Sequence, residues 1–306
     1  MHKITELIRS EREFLSFVGC MKETLATEEC LPIAVNGLSG GAESAFLAEA
    51  VKEAARISHR PILVLVENEA ERIRVTDLLA SADINAVGYK RRDPVFHNIR
   101  ASHDVDRERL SVLSGILSGK VDVVVSTPSA AAMATMPMEL LDAMSIDLRV
   151  GDVIAPESLA DRLVHLGFAP VENVESRGQF SRRGGILDFF GGESEQPVRV
   201  EFFGDEIDRL SYFDTITQRS GAPCDGVSLL PAAEVVVDKE ARGRILASIE
   251  RLLPKVTDET YRARLIRERA VLESDVGIDF RDKYLPLIYE RGETLFDNMA
   301  KGGRYI

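Results

Sequence analysis

The residues best placed to do chemistry are Gly37-Leu38-Ser39-Gly40-Gly41-Ala42-Glu43-Ser44. They follow a short apolar run, Pro32 to Val35, and precede a helical pattern, the strand–turn–helix setting that a phosphate-binding loop requires. The pattern for such a loop is GxxxxGK[ST]. Its glycines let backbone N–H groups approach the phosphates, and its lysine neutralises the terminal ones. Gly37 and Ser44 fit the pattern, and Gly40 and Gly41 keep the turn glycine-rich. Ala42 replaces the second pattern glycine, and Glu43 stands where the lysine belongs. A carboxylate about 4 Å from a phosphate charge is repelled by roughly 1 to 4 kcal/mol, depending on the effective dielectric. The run therefore reads as a degenerate phosphate loop with no hydrolytic activity and doubtful ATP affinity. The plainer alternative is a glycine-rich turn before a helix. An anion at the helix start after Gly41 remains compatible with either reading.

The elements around this loop alternate. Residues 4–15 carry apolar positions at helical spacing, and 32–35 is expected to be a buried strand. Helices are expected over 44–57, about 68–80 and 104–118. Strands are expected at 61–66, near 86–87 and at 121–126. Continuous β-branched runs such as Pro61 to Val66 and Val121 to Ser126 are what parallel strands covered on both faces look like. The expected fold class is therefore α/β, a RecA-like parallel-sheet domain. After about residue 130 the pattern changes. Met133, Met136, Met138 and Met144 mark a helical boundary, and 156–167 is a short helix. From Phe180 the period becomes two, with a strand at 185–190 and a hairpin over 198–213 turning at Gly204-Asp205-Glu206. From about 234 helical spacing returns, with one helix ending near Pro254 and another marked by Tyr261, Leu265 and Leu272. The expected layout is a split α/β domain, 1–128 plus 233–306, interrupted by an inserted α+β domain, 129–232. The last residues, Gly302 to Ile306, read as the start of an element, so the chain is expected to be part of a longer protein.

Composition narrows the function. The 306 residues carry a formal net charge of −12, no Trp and 6% aromatics. Phosphate-driven nucleic-acid binding needs a local excess of Lys and Arg, and base stacking needs aromatics. A DNA-binding module could draw only on Arg91, Arg92 and the Arg177–Arg183 group. Cys20, Cys30 and Cys224 have no metal-site spacing and read as reduced thiols. His97 and His103, with Asp104, lack zinc-helix spacing. Asp205, Glu206 and Asp208 could pass for a carboxylate cluster, but read as a solvated turn with edge-protecting charges. No signal-peptide core or membrane span is visible, so a cytoplasmic protein with no membrane partner is expected.

Residues 178–220, GQFSRRGGILDFFGGESEQPVRVEFFGDEIDRLSYFDTITQRS, carry a more specific pattern. An F-x-x-R-G-x-x-x-D-x-F strand precedes a hairpin of the form R-x-E-F-F-x-D-E-I-D. This run resembles the segment shared by the excision-repair protein UvrB and the bacterial transcription-repair coupling factors. Phe213-Asp214, Thr217 to Ser220 and Leu229 to Ala232 with Glu234 lean towards the coupling factors. So do the missing lysine and the absence of an aromatic clamp hairpin around Tyr89 to Asn98.

The resemblance implies the N-terminal, UvrB-like module of such a factor. Full-length members are ATP-driven DNA translocases that displace stalled RNA polymerase and recruit UvrA. Their ATP, Mg, DNA and polymerase sites would lie in C-terminal domains, which would also dock on this module. No cofactor and no catalytic residue or metal are expected in this chain. The partner expected is UvrA, contacted through Arg183 first, then Arg182 and Arg177, with Phe180 as an apolar anchor. Where UvrB has another arginine, this chain has Ser181, and whether Arg182 takes over is open. The competing reading is half of an ATP-dependent helicase site. It lacks the acidic strand end that binds magnesium, since Ser126-Thr127-Pro128 stand there.

Overall fold

The computed structural model describes residues 7–26, 32–58, 61–92, 103–191, 194, 196–274, 281–289 and 292–302. Ile4, Cys30, Phe96, His97 and Arg304 to Ile306 lie outside them. The chain divides into two compact units: residues 1–91, 112–133 and 295–306 form the first, and 92–111 and 134–294 the second.

The first unit is α/β. Helices α1 (Arg12–Ala26), α2 (Gly41–Ser58) and α3 (Glu69–Ser81) accompany strands β1 (Ile62–Leu65), β2 (Ala86–Tyr89) and β3 (Val123–Ser126). The strands run parallel in the order β1-β3-β2. Val123, Val124 and Val125 are fully buried, which explains the uninterrupted apolar run. Ala48 and Val51 of α2 and Val75 and Leu79 of α3 pack with Val123 and Val125. Asn68 caps α3 by accepting from the Glu71 N–H at 3.0 Å. Phe14 of α1 meets Phe46 of α2 edge-on, with centroids 5.5 Å apart.

The strand expected at Pro32 to Val35 does not form. Residues 32–39 are irregular, and Ile33 and Val35 are exposed. Among the described residues no strand pairs with this segment, and Pro32 has no N–H to donate to one.

The second unit is built on a six-stranded sheet of order β10-β9-β8-β7-β6-β5. Its strands are β5 (Ala169–Pro170), β6 (Gln179–Arg183), β7 (Ile186–Phe190), β8 (Val198–Phe203), β9 (Glu206–Phe213) and β10 (Ser220–Pro223). All neighbours are antiparallel except β5 and β6. Strands β4 (Ile146–Arg149) and β11 (Gly226–Leu229) pair as a separate two-stranded ribbon, whose Ile146, Leu148 and Leu229 join the core of that sheet. Phe180, Leu187, Phe189, Val198, Val200, Ile207 and Leu210 share one core with Leu159 and Leu163 of helix 156–165. Helices Lys239–Leu252 and Glu259–Glu273 follow, capped by Asp238 and Asp258.

The compact units differ from the expected layout, because 92–111 and 234–294 belong with the inserted region, and of the C-terminal segment only 295–306 return to the α/β unit. A buried charge network ties segment 92–111 to the segment after 234, with Thr135 as its member from the inserted region. Glu234, with no exposure, accepts two bonds from Arg109 at 2.6 and 2.8 Å and one from Thr135. Arg92 lies 3.5 Å from Glu234 and is paired with Asp282. Tyr289 donates to the Glu234 carbonyl at 2.6 Å. A charge at 234 can be buried only with these partners, so they settle in the same unit.

Burial alone would raise the Glu234 pKa, but Arg109, Arg92 and Thr135 hold it below the ordinary 4.5. A depressed folded value means the stabilisation is full above about 4.5 and is lost as pH falls through the lowered value. We expect Glu234→Gln to lose about 3–5 kcal/mol at neutral pH, because the buried guanidinium groups lose their carboxylate. Urea titrations of both proteins at pH 7 and pH 4 check this, and the difference between them should shrink at the lower pH.

Candidate functional site

The F-x-x-R-G-x-x-x-D-x-F run folds into β6 and β7, and alternation assigns its residues to two faces. Phe180 is paired with Phe189, and its side chain lies in the core at 5% exposure. It is therefore not the apolar anchor the sequence reading made it. Arg182 follows on that same side at the strand end, where its guanidinium meets Glu157 at 2.5 Å. Ser181 is buried and donates to the Glu172 carbonyl at 2.8 Å, so it takes no arginine-like role.

The other face is polar and centred on Asp188, which is 1% exposed. Arg199 donates to both of its oxygens, Nε at 2.7 Å and Nη2 at 2.8 Å. Arg183 adds a longer bond at 3.3 Å and a second, also 3.3 Å, to Asn173. The Arg183 side chain stays 48% exposed. Arg199 is also tied to the Gln218 carbonyl and Ser220 hydroxyl, both at 3.2 Å, and lies 5.1 Å from the Phe213 ring centroid. Bonding to Asp188 holds the Arg199 pKa above its usual value. Arg177 belongs elsewhere. It covers the Phe190 ring at 4.5 Å, donates to the Ser194 carbonyl at 3.0 Å and lies 3.3 Å from Asp104.

Sequence reasoning missed Phe203, which is 82% exposed. Val198, Val200 and Phe202 pack inward, so Phe203 falls on the Asp188 face. The backbone N–H of Phe202 donates to the Gly185 carbonyl at 2.8 Å. This joins the β8–β9 tip to the β6–β7 turn and puts Phe203 at the same end of the sheet as Arg183. Val153, 77% exposed, extends the apolar rim through its bridge to Glu206, which is Phe203's partner. Asp205 and Glu206 are exposed at this turn. The period of two in VRVEFF was the available signal for Phe203, and a lone Asp in the apolar run ILDFF was the signal for Asp188.

The glycine-rich loop belongs to the other unit. Gly37 and Gly40 have φ of +85° and +57°, a backbone region that favours glycine, and Gly41 opens α2. Ala42 donates back to the Ser39 carbonyl at 3.3 Å. Glu43 and Ser44 line a cavity of about 550 Å³ together with Glu67, Glu71 and Arg74. Arg74 is engaged by Glu71 at 2.7 and 2.9 Å and donates to the Ser44 hydroxyl at 3.3 Å. Its pKa is raised by its bond to Glu71 and by Glu43 nearby. Three carboxylates against one committed guanidinium do not fit a triphosphate. At the end of β3, Ser126 donates to the Tyr89 carbonyl at 3.1 Å, and the Thr127 side chain accepts from the Ala130 N–H at 3.3 Å.

Residues 146–234 match the family described as the UvrB interaction domain. The transcription-repair-coupling factor of Bacillus subtilis (strain 168) is 29% identical over 308 residues, covering 97% of this chain and 25% of that protein. That of Myxococcus xanthus is 32% identical over 192 residues, covering 62% of this chain and 16% of its own length. The UvrABC system protein B of Methanococcoides burtonii is 31% identical over 176 residues, covering 56% of this chain and 26% of its own length. The chain spans about a quarter of the length of the coupling factors it matches most fully.

The Asp188 network makes a stability prediction separable from function. Asp188→Asn should cost about 3–5 kcal/mol, because it strands Arg199 beside a neutral group. Arg183→Ala should cost no more than about 1 kcal/mol, since that pair is half-exposed. Thermal melting of the two variants beside the parent checks the contrast.

Proposed function

We propose that this chain, which carries a UvrB interaction domain and is related along nearly its whole length to transcription-repair coupling factors, is their non-catalytic UvrA-recruiting module. One observation carries this reading. A half-exposed arginine and a fully presented phenylalanine, Arg183 and Phe203, share one end of one sheet face, inside the segment that matches the family. An aromatic anchor beside a planar guanidinium is the combination that concentrates binding energy at protein interfaces. Asp188 and Arg199 are the positioning residues beneath it.

The first unit serves as an α/β scaffold whose loop at Gly37 to Ser44 is a degenerate phosphate loop. Glu43 in the lysine position and the Arg74–Glu71 pair support this, and so does the hydroxyl-bearing end of β3. The chain therefore needs no ATP or Mg of its own. Translocation, polymerase and DNA contacts belong to the further domains of longer relatives. The alternative, a working half of a helicase site, would need the charge that Glu43 inverts.

Calorimetric titration with purified UvrA tests the proposal. Arg183→Ala and Phe203→Ala are each expected to weaken binding roughly tenfold or more, with no more than a small drop in melting temperature. ATP should leave the parent chain's affinity unmoved. Absence of UvrA binding, or binding insensitive to both substitutions, contradicts the reading. For the loop, the expected result is no ATP binding heat and no phosphate release above buffer. Hydrolysis abolished by Ser44→Ala would instead make the loop a working site.

A further inference from the structure

At the opposite end of the same sheet, a cavity of about 470 Å³ opens beside edge strand β10. Its walls include Phe190, Tyr212 and Phe213, and its rim includes Thr217, Arg219 and Ser220. Two of those rings carry a guanidinium: Arg177 on Phe190 at 4.5 Å and Arg199 by Phe213 at 5.1 Å. Arg219 at the rim is exposed, and its side chain has no partner among the described residues. The acidic group nearest in sequence, Asp214, also lines the cavity and ties one of its oxygens into its own turn. Its carboxylate accepts from the N–H groups of Ile216 and Thr217, at 3.0 and 2.7 Å, and from the Thr217 hydroxyl at 2.9 Å. These bonds hold its pKa below the ordinary carboxylate value. They also fix the turn that leaves Ile216 90% exposed. In a chain with net charge −12, this corner offers an uncommitted arginine, the Ser220 hydroxyl as a donor, aromatic walls and one presented aliphatic side chain.

We infer that this corner is a second protein-docking site, taking a short acidic segment in which a Glu or Asp is flanked by apolar residues. The carboxylate meets Arg219 and the hydroxyl of Ser220, and the apolar neighbours rest on Ile216 and the aromatic walls. Arginine forks match carboxylates in geometry as well as charge. Among the described residues nothing pairs with the outer edge of β10, and its small residues Ser220, Gly221 and Ala222 admit an extended backbone alongside. A nucleic-acid backbone is disfavoured, since one free arginine in an acidic chain cannot track successive phosphates. The site does not depend on the UvrA reading, because Arg183 and Phe203 lie at the other end of the sheet.

The test is selection of a random twelve-residue phage-displayed peptide library on the 306-residue chain, in parallel on Arg219→Glu. The enriched peptides are then measured by fluorescence anisotropy. The expected result is acidic–apolar sequences enriched on the parent only. Their binding should fall roughly tenfold or more with Arg219→Ala, fall further with Arg219→Glu, weaken with Ile216→Ser, and hold with Arg183→Ala. Circular dichroism melting of each variant separates lost binding from lost folding. Enrichment of peptides without carboxylates overturns the inference, as does affinity indifferent to Arg219. So does Arg219-dependent binding of a twelve-nucleotide single strand where no peptide is enriched.

Discussion

A carboxylate buried inside a β-sheet costs several kcal/mol unless positive groups and hydrogen-bond donors meet it there. Asp188 imposes that condition on the second unit. Its two oxygens engage Arg199 from the neighbouring strand and Arg183 from the strand on the other side. One sheet face is thereby given over to charge, and the other is left to the aliphatic and aromatic core. The spacing of the F-x-x-R-G-x-x-x-D-x-F run follows from this geometry. Arg183 and Asp188 flank the β6–β7 turn, Gly184 takes a φ of +61° within it, and Phe180 and Phe189 pair on the opposite side. What the face presents outward, Arg183 and Phe203 at one end and the Arg199-backed corner at the other, depends on that fixed centre.

The glycine-rich loop shows the opposite use of charge. Its backbone keeps the turn and the helix start, but every charged group around its cavity is paired within the unit or negative. A helix N-terminus welcomes negative charge, and Glu43 in the first turn of α2 supplies it from within the chain.

The sequence was most legible where pattern and burial coincide. Val123 to Val125 are buried on both sides and read at once as a parallel strand, and the hairpin over 198–213 followed from its alternation and its turn. Pro32 to Val35 failed because a short apolar run does not by itself specify pairing, and Pro32 withholds one of the donors a strand would use. Phe180 was misjudged because the motif was read as a line of side chains when alternation turns Phe180 and Arg183 to opposite faces. Phe203 was passed over beside Phe202, although the same alternation separates them. The Arg109–Glu234 pair, 125 residues apart, was not legible at all, since no local pattern marks which distant charges will be buried together. That pair joins segment 92–111 to the segment that follows 234, and both fall in the second unit.

The central claim is that the end of the sheet bearing Phe203 is what a repair partner touches. The most direct measurement is photo-crosslinking from a benzoylphenylalanine placed at position 203, mixed with purified UvrA, beside the same probe at Ile73 on the exposed side of α3. The account predicts a crosslinked species with UvrA from position 203 and none from position 73. Equal crosslinking from both positions, or from 73 alone, would contradict it.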